Sequence, residues 1–254
     1  MIKTLVFANQ KGGVGKTTSA TNVAAFLAKS GKRVLMIDAD PQGNATSGLG
    51  INKKQTGGSV YDLFIGRAKA SEVIVSTKTP NLFMIPSSIN LVGAEIELVG
   101  ETRREYRLKD ALSEVYDEYD FIVIDSPPSL GLITINALTA ADGVVIPLLC
   151  EYYSLEGLSQ LTYTMKTIKK LYNPNLELVG VLINMFDGRL NLSMQVMSEI
   201  KKYFGSKILK TPIPRNVKLS EAPSYGEPIY EYDKRSKGAA AYEAVAAEIA
   251  ERCK

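Results

Sequence analysis

Six short runs of nearly continuous aliphatic and β-branched residues mark the chain. Runs of this kind are typical of strands buried on both faces of a sheet, whereas a strand with one wet face alternates apolar and polar residues. The pattern predicts strands at Ile2–Ala8, Arg33–Ile37, Phe121–Ile124, Val144–Leu149, Leu178–Ile183 and Ile208–Thr211.

Helix-like patterns lie between most of these runs. They predict helices at Thr17–Ser30, Arg104–Tyr119, Leu155–Tyr172, Ser193–Phe204 and Gly238–Arg252. Alternation of strands with helices favours a parallel sheet covered on both faces. We therefore expect an α/β fold with a single doubly wound, mostly parallel sheet, and one domain over residues 1–254. The stretch from Gly43 to Asn90 has the least regular pattern, and we interpret it as an elaborated insertion.

The composition narrows the class of protein and its chemistry. A chain of 254 residues that is 45% hydrophobic and 22% charged is typical of a soluble globular protein. No apolar run approaches the roughly 18 to 20 residues of a membrane-spanning helix. Cys150 and Cys253 are too few for a disulfide framework, so we expect a cytoplasmic protein. The absence of histidine excludes Ser-His-Asp triads, histidine-ligated zinc and histidine general bases.

Positive charge is concentrated in the second part of the chain. Residues 1–159 hold 15 Lys and Arg against 17 Asp and Glu, whereas residues 160–254 hold 15 against 10. By itself, an excess of this size is more typical of a solvated surface than of a nucleic-acid site.

The segment NQKGGVGKTT, residues 9–18, lies between the first predicted strand and the first predicted helix. It ends as a phosphate-binding loop does, in Gly15-Lys16-Thr17, but Gln10 stands where the usual pattern requires glycine. It also carries a second lysine, Lys11. A glycine-rich turn at a helix N-terminus presents backbone N–H groups and a partial positive charge to phosphates.

This loop predicts a nucleoside triphosphate site with magnesium. Lys16 is placed to reach the β and γ phosphates, and Thr17 is placed to ligate Mg²⁺. The predicted nucleotide contacts in the loop are Lys11, Gly12, Gly13, Val14, Gly15, Lys16, Thr17 and Thr18.

Three aspartates follow predicted strands. Asp38 and Asp40 come after the run that ends at Ile37, and Asp125 comes after Phe121–Ile124. Ligands of parallel sheets bind outside the carboxyl ends of the strands, so these carboxylates should lie beside the loop. Asp125 has the Walker B arrangement that holds Mg²⁺. The alternative is that all three are turn residues that cap the chain after a strand.

Longer motifs carry a family resemblance. They are KGGVGKTT (11–18), DADPQGNAT (38–46), IDSPPSLGLITINAL (124–138), CEYYSLEGLSQL (150–161), FDGRLNLSMQV (186–196) and TPIPRNVKLSEAPSYGEPI (211–229). The chain resembles the deviant Walker A ATPases of the ParA/MinD superfamily, and within it the chromosomal ParA/Soj partition proteins. The resemblance covers essentially the whole chain. It implies an ATPase that uses ATP and Mg²⁺ and belongs to the P-loop NTPase class. Because the motifs contain no strong general base, we expect its hydrolysis of ATP to be slow.

The resemblance also implies roles for individual residues. Lys11 would reach into the active site of a second copy in a dimer that sandwiches two ATP molecules, which makes Lys11, Lys16 and Asp40 the catalytic set. A positive charge delivered across the interface would stabilise the phosphoryl group during transfer. Asp40 would position the attacking water, for which it is also the best candidate by residue type.

Further positions match the metal, base and dimer contacts of relatives. The metal set becomes Thr17, Asp38 and Asp125. Gly12 matches a position where a side chain would obstruct the approach of the second monomer. The residues that match positions bracketing adenine are Asn184, Pro212, Pro214 and Arg215.

The resemblance implies non-specific binding of the dimer to nucleoid DNA. Arg189 and Arg215 match basic residues used for this contact. Each lysine by itself is more typical of a solvated surface, but the residues that could extend this predicted basic patch are Lys201, Lys202, Lys218, Lys234, Arg235 and Lys237. A ParB/Spo0J-type centromere-binding partner that triggers hydrolysis is also implied, together with a nucleoid-associated location.

Two other readings stay open. A MinD-like membrane switch needs a C-terminal amphipathic helix with large apolar residues, whereas the tail GAAAYEAVAAEIAERCK is alanine-rich and acidic. A metabolic relative would be an iron protein, which needs cluster-bridging cysteines, or a dethiobiotin synthetase-type ligase, which would have no use for Lys11.

Overall fold

The computed structural model describes residues 3–151 and 154–254, with the side chains of 154–157 outside the description. The strands are β1 (Thr4–Phe7), β2 (Val34–Asp38), β3 (Val75–Ser76), β4 (Leu82–Ile85), β5 (Phe121–Asp125), β6 (Gly143–Leu149) and β7 (Glu177–Asn184). They form one sheet in the order β3-β4-β2-β5-β1-β6-β7. Every neighbouring pair is parallel except β3 with β4. The predicted fold class is confirmed.

Twelve α-helices connect or flank these strands in the described part of the chain. They are α1 (Lys16–Lys29), α2 (Asn44–Gly48), α3 (Val60–Phe64), α4 (Ala70–Val73), α5 (Leu91–Glu97), α6 (Arg107–Leu112), α7 (Leu132–Ala140), α8 (Ser154–Leu171), α9 (Asn191–Phe204), α10 (Val217–Glu221), α11 (Ile229–Tyr232) and α12 (Lys237–Arg252). Short 3₁₀ turns occupy 104–106, 116–118, 205–207 and 222–225.

The sheet separates two apolar layers. On one face, α1 and α12 pack on Leu5 and Phe7 of β1. On the other face, α3 and α5 to α9 pack in the layer that includes Val6. Successive side chains of a strand point to opposite faces, so a strand covered on both sides must be apolar at every position. The continuous apolar runs of the sequence follow from this burial.

Three predicted elements differ from the structure. The predicted strand Ile208–Thr211 is wrong, since Ile208 makes only an isolated bridge to Val181. The predicted helix Arg104–Tyr119 is broken into a 3₁₀ turn, α6 and a second 3₁₀ turn. The interpretation of Gly43–Asn90 as an insertion is also wrong, because it contains β4, which pairs in parallel with β2 inside the main sheet. Ile2, the predicted start of the first strand, lies outside the described residues, as do Tyr152 and Tyr153 of the CEYYSLEGLSQL motif.

Candidate nucleotide site

The loop from β1 to α1 has the backbone of a phosphate cradle. Gly13 and Gly15 adopt φ of +74° and +84°, in the left-handed region where residues with a side chain are strained. Gly15 is the N-cap of α1, so the helix N-terminus opens directly out of the loop. A Cβ added at Gly15 would also come within 2.7 Å of the Asn184 side-chain nitrogen. Glycine is therefore required at this position by both backbone and space.

Asn9 holds the loop in place and was not foreseen from the sequence. Its side-chain amide donates to the carbonyl oxygen of Pro147 in β6 at 2.7 Å. Its Oδ1 accepts from the backbone N–H of Lys11 at 2.9 Å. The start of the loop is thus bound to a neighbouring strand by a buried side chain.

Lys16 lies inside the cradle, with only 7% of its surface exposed. Its ammonium donates to the backbone carbonyl of Lys11 at 3.1 Å. Burial lowers the pKa of Lys16 below its usual value, while the negative charges of Asp125 and Asp40 act in the opposite direction. A buried ammonium with one neutral partner is well placed to bind phosphate oxygens.

Asp38 and Asp125 lie side by side as register partners at the ends of the parallel strands β2 and β5. Asp38 Oδ2 accepts from the backbone N–H and the hydroxyl of Thr46, at 2.8 and 2.7 Å. Burial raises the pKa of Asp38 to about 6 in spite of these hydrogen bonds. Burial and the charge of Asp38 hold the pKa of Asp125 well above its usual range, and neighbouring Thr17 and Lys16 only partly offset this.

The donor set fits magnesium. Both carboxylate oxygens of Asp125 are buried without a hydrogen-bond partner among the described residues, and a hard divalent cation prefers such oxygens. No group of three or more acidic or cysteine side chains that could hold a metal occurs in 3–151 and 154–254. Phosphate oxygens and water would therefore have to complete the coordination that Asp125, Asp38 and Thr17 begin.

Asp40 lies beside this pair at 8% exposure. Its Oδ1 accepts from the backbone N–H of Gln42 at 2.9 Å, which fixes the side chain in the turn after β2. Its own backbone N–H donates to Asp38 Oδ1 at 3.2 Å. The structure therefore brings Asp38, Asp40, Asp125 and Lys16 together, as the order of the strands predicts.

Lys11 does not join them. Its ammonium forms an ion pair of 2.6 Å with Glu151, the second residue after β6. Both side chains are partly exposed, at 36% and 55%. Within one chain, Lys11 contributes its backbone carbonyl to the site and directs its charge toward the surface.

A cavity of about 630 Å³ opens beside the loop. It lies between Gly15 and Thr18 on one side and residues 213–223 on the other. Asn184, Pro214 and Arg215 line it, as expected for a base site, whereas Pro212 does not. Tyr242 of α12 also lines it, and no local sequence pattern pointed to that residue.

The predicted basic patch lies outside this cavity except at Arg215, and all eight of its residues are exposed. Arg189 forms a forked pair with Asp187, with N–O distances of 2.9 and 2.6 Å. These hydrogen bonds lower the pKa of Asp187 to about 2. Lys202 pairs with Glu199 and Lys218 with Glu221. Within the described ranges, the members without an ion pair are Lys201, Arg215, Lys234, Arg235 and Lys237.

Comparisons with known proteins place this geometry in a family. The family model described as an AAA domain matches residues 2–178. Over 250 residues the chain is 57% identical to the sporulation initiation inhibitor protein Soj of Bacillus subtilis strain 168, covering 98% of this chain and 99% of that protein. Over 252 residues it is 53% identical to the chromosome-partitioning ATPase Soj of Treponema pallidum strain Nichols, covering 99% and 98%.

This chain belongs to the ParA/Soj family of AAA-domain ATPases. The resemblance found in the motifs is therefore confirmed. A solved structure of similar fold is cobyrinic acid a,c-diamide synthase from Mycobacterium smegmatis with a bound ATP analog and magnesium. Its TM-score is 0.85 at 36% identity, covering 97% of this chain and 93% of that one.

As a ParA/Soj family member, the chain is an ATPase with ATP and Mg²⁺ as its nucleotide and metal. The orphaned oxygens of Asp125 and the buried ammonium of Lys16 fit those two ligands. Among the described residues, no helix is long and apolar enough to cross a membrane.

Proposed function

We propose that this ATPase is a DNA-partitioning switch whose ATP-bound dimer binds nucleoid DNA. ATP would bind with its phosphates on the 9–18 loop and its base in the 630 Å³ cavity. Lys16 would hold the β and γ phosphates, and Asp40 would orient the attacking water. Bound Mg²⁺, held by Asp125, Asp38 and Thr17, would neutralise phosphate charge.

The observation that supports a dimer is the open space beside Gly12. A Cβ built there meets no atom within 4 Å, and its φ lies outside the left-handed region. Nothing in the chain's own fold therefore requires glycine at this position. A second molecule that approaches the loop closely would require it, and the adjacent Lys11 already directs its charge outward to Glu151. In the dimer, Lys11 would exchange Glu151 for the phosphates bound by the second copy.

The exposed basic patch supports DNA as the partner of the dimer. Dimerisation doubles the number of these charges on one assembly, and phosphate binding by counterion release grows with each added contact. DNA phosphates would compete with Asp187 for the Arg189 guanidinium. A ParB-type partner would then accelerate hydrolysis and release the protein from the nucleoid.

A MinD-like membrane switch is the alternative, and α12 argues against it. Its large apolar residues Tyr242, Val245 and Ile249 are buried in the layer that also contains α1. An interfacial helix must keep such a face free for lipid. The apolar face of α12 is already occupied by the core.

DNA binding by the purified protein with ADP, with ATP, and with ATP in Asp40→Ala tests the switch. We expect binding to non-specific duplex DNA only with ATP, stronger in Asp40→Ala because hydrolysis is blocked. Arg189→Glu should abolish it, whereas Lys78→Glu, the same charge change at an exposed residue outside the patch, should not. Absence of DNA binding in every nucleotide state, with dimerisation intact, would contradict the proposal, and binding to anionic vesicles instead would favour the membrane switch.

A further inference from the structure

Three buried polar side chains meet at the inner wall of the base cavity. Asn184 ends β7, Ser19 lies in the second turn of α1, and Tyr242 lies on α12. The Asn184 amide nitrogen donates to Ser19 Oγ at 3.0 Å, and Ser19 Oγ lies 3.1 Å from the Tyr242 hydroxyl. The exposed fractions are 3%, 0% and 1% for Asn184, Ser19 and Tyr242. Residues far apart in the chain thus form one hydrogen-bonded row.

The orientation of the Asn184 amide follows from its partners. Its nitrogen also donates to the carbonyl oxygen of Val14 at 2.8 Å. A carbonyl oxygen only accepts, so the atom facing Val14 must be the nitrogen. The two N–H bonds of the amide are therefore both in use, one on Val14 and one on Ser19. A flipped amide would set its oxygen against the Val14 carbonyl.

The remaining atom is the amide oxygen. Asn184 Oδ1 is buried and has no hydrogen-bond partner among the described residues. A buried acceptor without a donor is unfavourable, and a ligand that supplies an N–H removes the penalty. Asn184, which lines the cavity, therefore has an unused acceptor and no amide N–H left for a ligand.

We propose that Ser19 and Tyr242 are specificity-determining positioning residues for the nucleotide base. They hold the Asn184 amide so that its oxygen is the group available to the ligand. The site then accepts a base with an exocyclic amine at this edge and disfavours one with a carbonyl oxygen there. This inference rests on the proposed placement of the base in the 630 Å³ cavity, and it concerns neither DNA nor the dimer.

The two hydroxyls have separable effects. Ser19 gives the amide nitrogen its second acceptor, so Ser19→Ala leaves one N–H unsatisfied and weakens the preference for this orientation. Tyr242 holds the Ser19 hydroxyl from the other side. In Tyr242→Phe the Ser19 hydroxyl loses this partner and holds the amide nitrogen less firmly, while the Val14 carbonyl still keeps the nitrogen on its side. Tyr242→Phe removes only one oxygen atom, so the core layer around the ring is preserved.

Binding of ATP and inosine triphosphate, both with Mg²⁺, tests the inference. The two nucleotides differ at the base edge, where inosine carries a carbonyl oxygen in place of the amine. We expect wild type to prefer ATP by about tenfold or more, since a site built around a hydrogen bond rejects analogues that cannot make it. Ser19→Ala and Tyr242→Phe should lower this ratio at least about threefold, with the binding of ATP weakened more than that of inosine triphosphate.

Tyr106→Phe is the matched control. Its hydroxyl bonds to the Tyr172 carbonyl at 3.2 Å, away from the cavity, and its ratio should equal that of wild type. An unaltered ratio in both variants, or equal weakening of both nucleotides, overturns the inference. So does a wild-type protein that binds the two nucleotides equally. If wild type prefers ATP as expected but shows no ATP-dependent DNA binding, the proposed function is contradicted and this inference is not.

Discussion

The Asp38–Asp125 pair predicts an unusual pH dependence of stability in the metal-free protein. Asp38 is completely buried, and its pKa rises from 3.8 to about 6 on folding. A carboxyl whose pKa is raised in the folded state stabilises the fold below its unfolded pKa, and that stability is lost as pH rises through the folded value. The loss for Asp38 falls between about pH 4 and pH 7.

The magnitude follows from the size of the shift. About two pKa units at roughly 1.4 kcal/mol per unit correspond to about 3 kcal/mol, of which about 2.5 kcal/mol is lost between pH 4 and pH 8. Asp38→Asn removes the titration. The new amide cannot accept from the Asp40 N–H as Asp38 Oδ1 does, which costs about 1 kcal/mol at every pH. The variant should therefore be about 2 kcal/mol more stable than wild type at pH 8 and about 0.5 kcal/mol less stable at pH 4.

Urea unfolding in EDTA at a series of pH values measures this difference. Asp117→Asn is the control, since the Asp117 side chain is fully exposed and is not a neighbour of the Asp38–Asp125 pair. Added Mg²⁺ and ATP should reverse the sign, because the cation favours the charged carboxylate that only wild type has. A difference between wild type and Asp38→Asn that stays constant within about 0.5 kcal/mol from pH 4 to 8 would refute the reasoning.

Three further outcomes are expected. Gly12→Ala and the control Gly57→Ala both place a methyl group in open space, so each should leave the free energy of unfolding within about 0.5 kcal/mol of wild type. Only Gly12→Ala should lose ATP-dependent dimerisation, measured by light scattering. Glu151→Gln should tighten that dimerisation about two- to fivefold, because the partly exposed ion pair with Glu151 competes weakly for Lys11. Lys11→Ala should abolish dimerisation. A weaker dimer in Glu151→Gln would contradict the proposal that Lys11 exchanges Glu151 for the phosphates of the second copy. Asp40→Ala should lower the hydrolysis rate about 100-fold or more with ATP affinity changed less than about fivefold, and a normal rate would remove Asp40 from the mechanism.

The central strands could be predicted from sequence because burial on both faces forces apolar residues at every position. β1, β2, β5, β6 and β7 all match predicted runs within a few residues. β4 carries the same signal in LFMI, but it is short and lies in a polar surrounding. α7 was missed because it is buried around most of its circumference and has no polar stripe.

The error at Ile208–Thr211 has a specific physical cause. The segment runs parallel to β7 and touches it only at intervals, where the backbone N–H groups of Leu209 and Ile213 donate to the carbonyls of Val181 and Ile183. Pro212 and Pro214 follow, and proline has no N–H for a ladder. An apolar run was therefore present, yet the backbone hydrogen bonds that define a strand could not continue.

The residues of the candidate site also fall into those that could be predicted from the sequence and those that could not. Asp38 and Asp125 could be placed together because parallel strands end at one edge of a sheet. Asn9, Ser19 and Tyr242 could not, since their roles depend on partners up to 223 residues away. Thr46, which donates twice to Asp38, belongs to the same class. Contacts of this length leave no periodic trace in the sequence.

The buried polar atoms without partners include three where the nucleotide would bind, besides others in Ser87, Arg107 and Thr139. Both oxygens of Asp125 and the amide oxygen of Asn184 are buried without partners in the described part of the chain. Each such group costs about 1 to 3 kcal/mol in the empty protein. A magnesium ion would satisfy the first pair, and a base amine would satisfy the third. The same atoms that weaken the empty chain therefore provide part of the differential stability on which an ATP-driven switch depends.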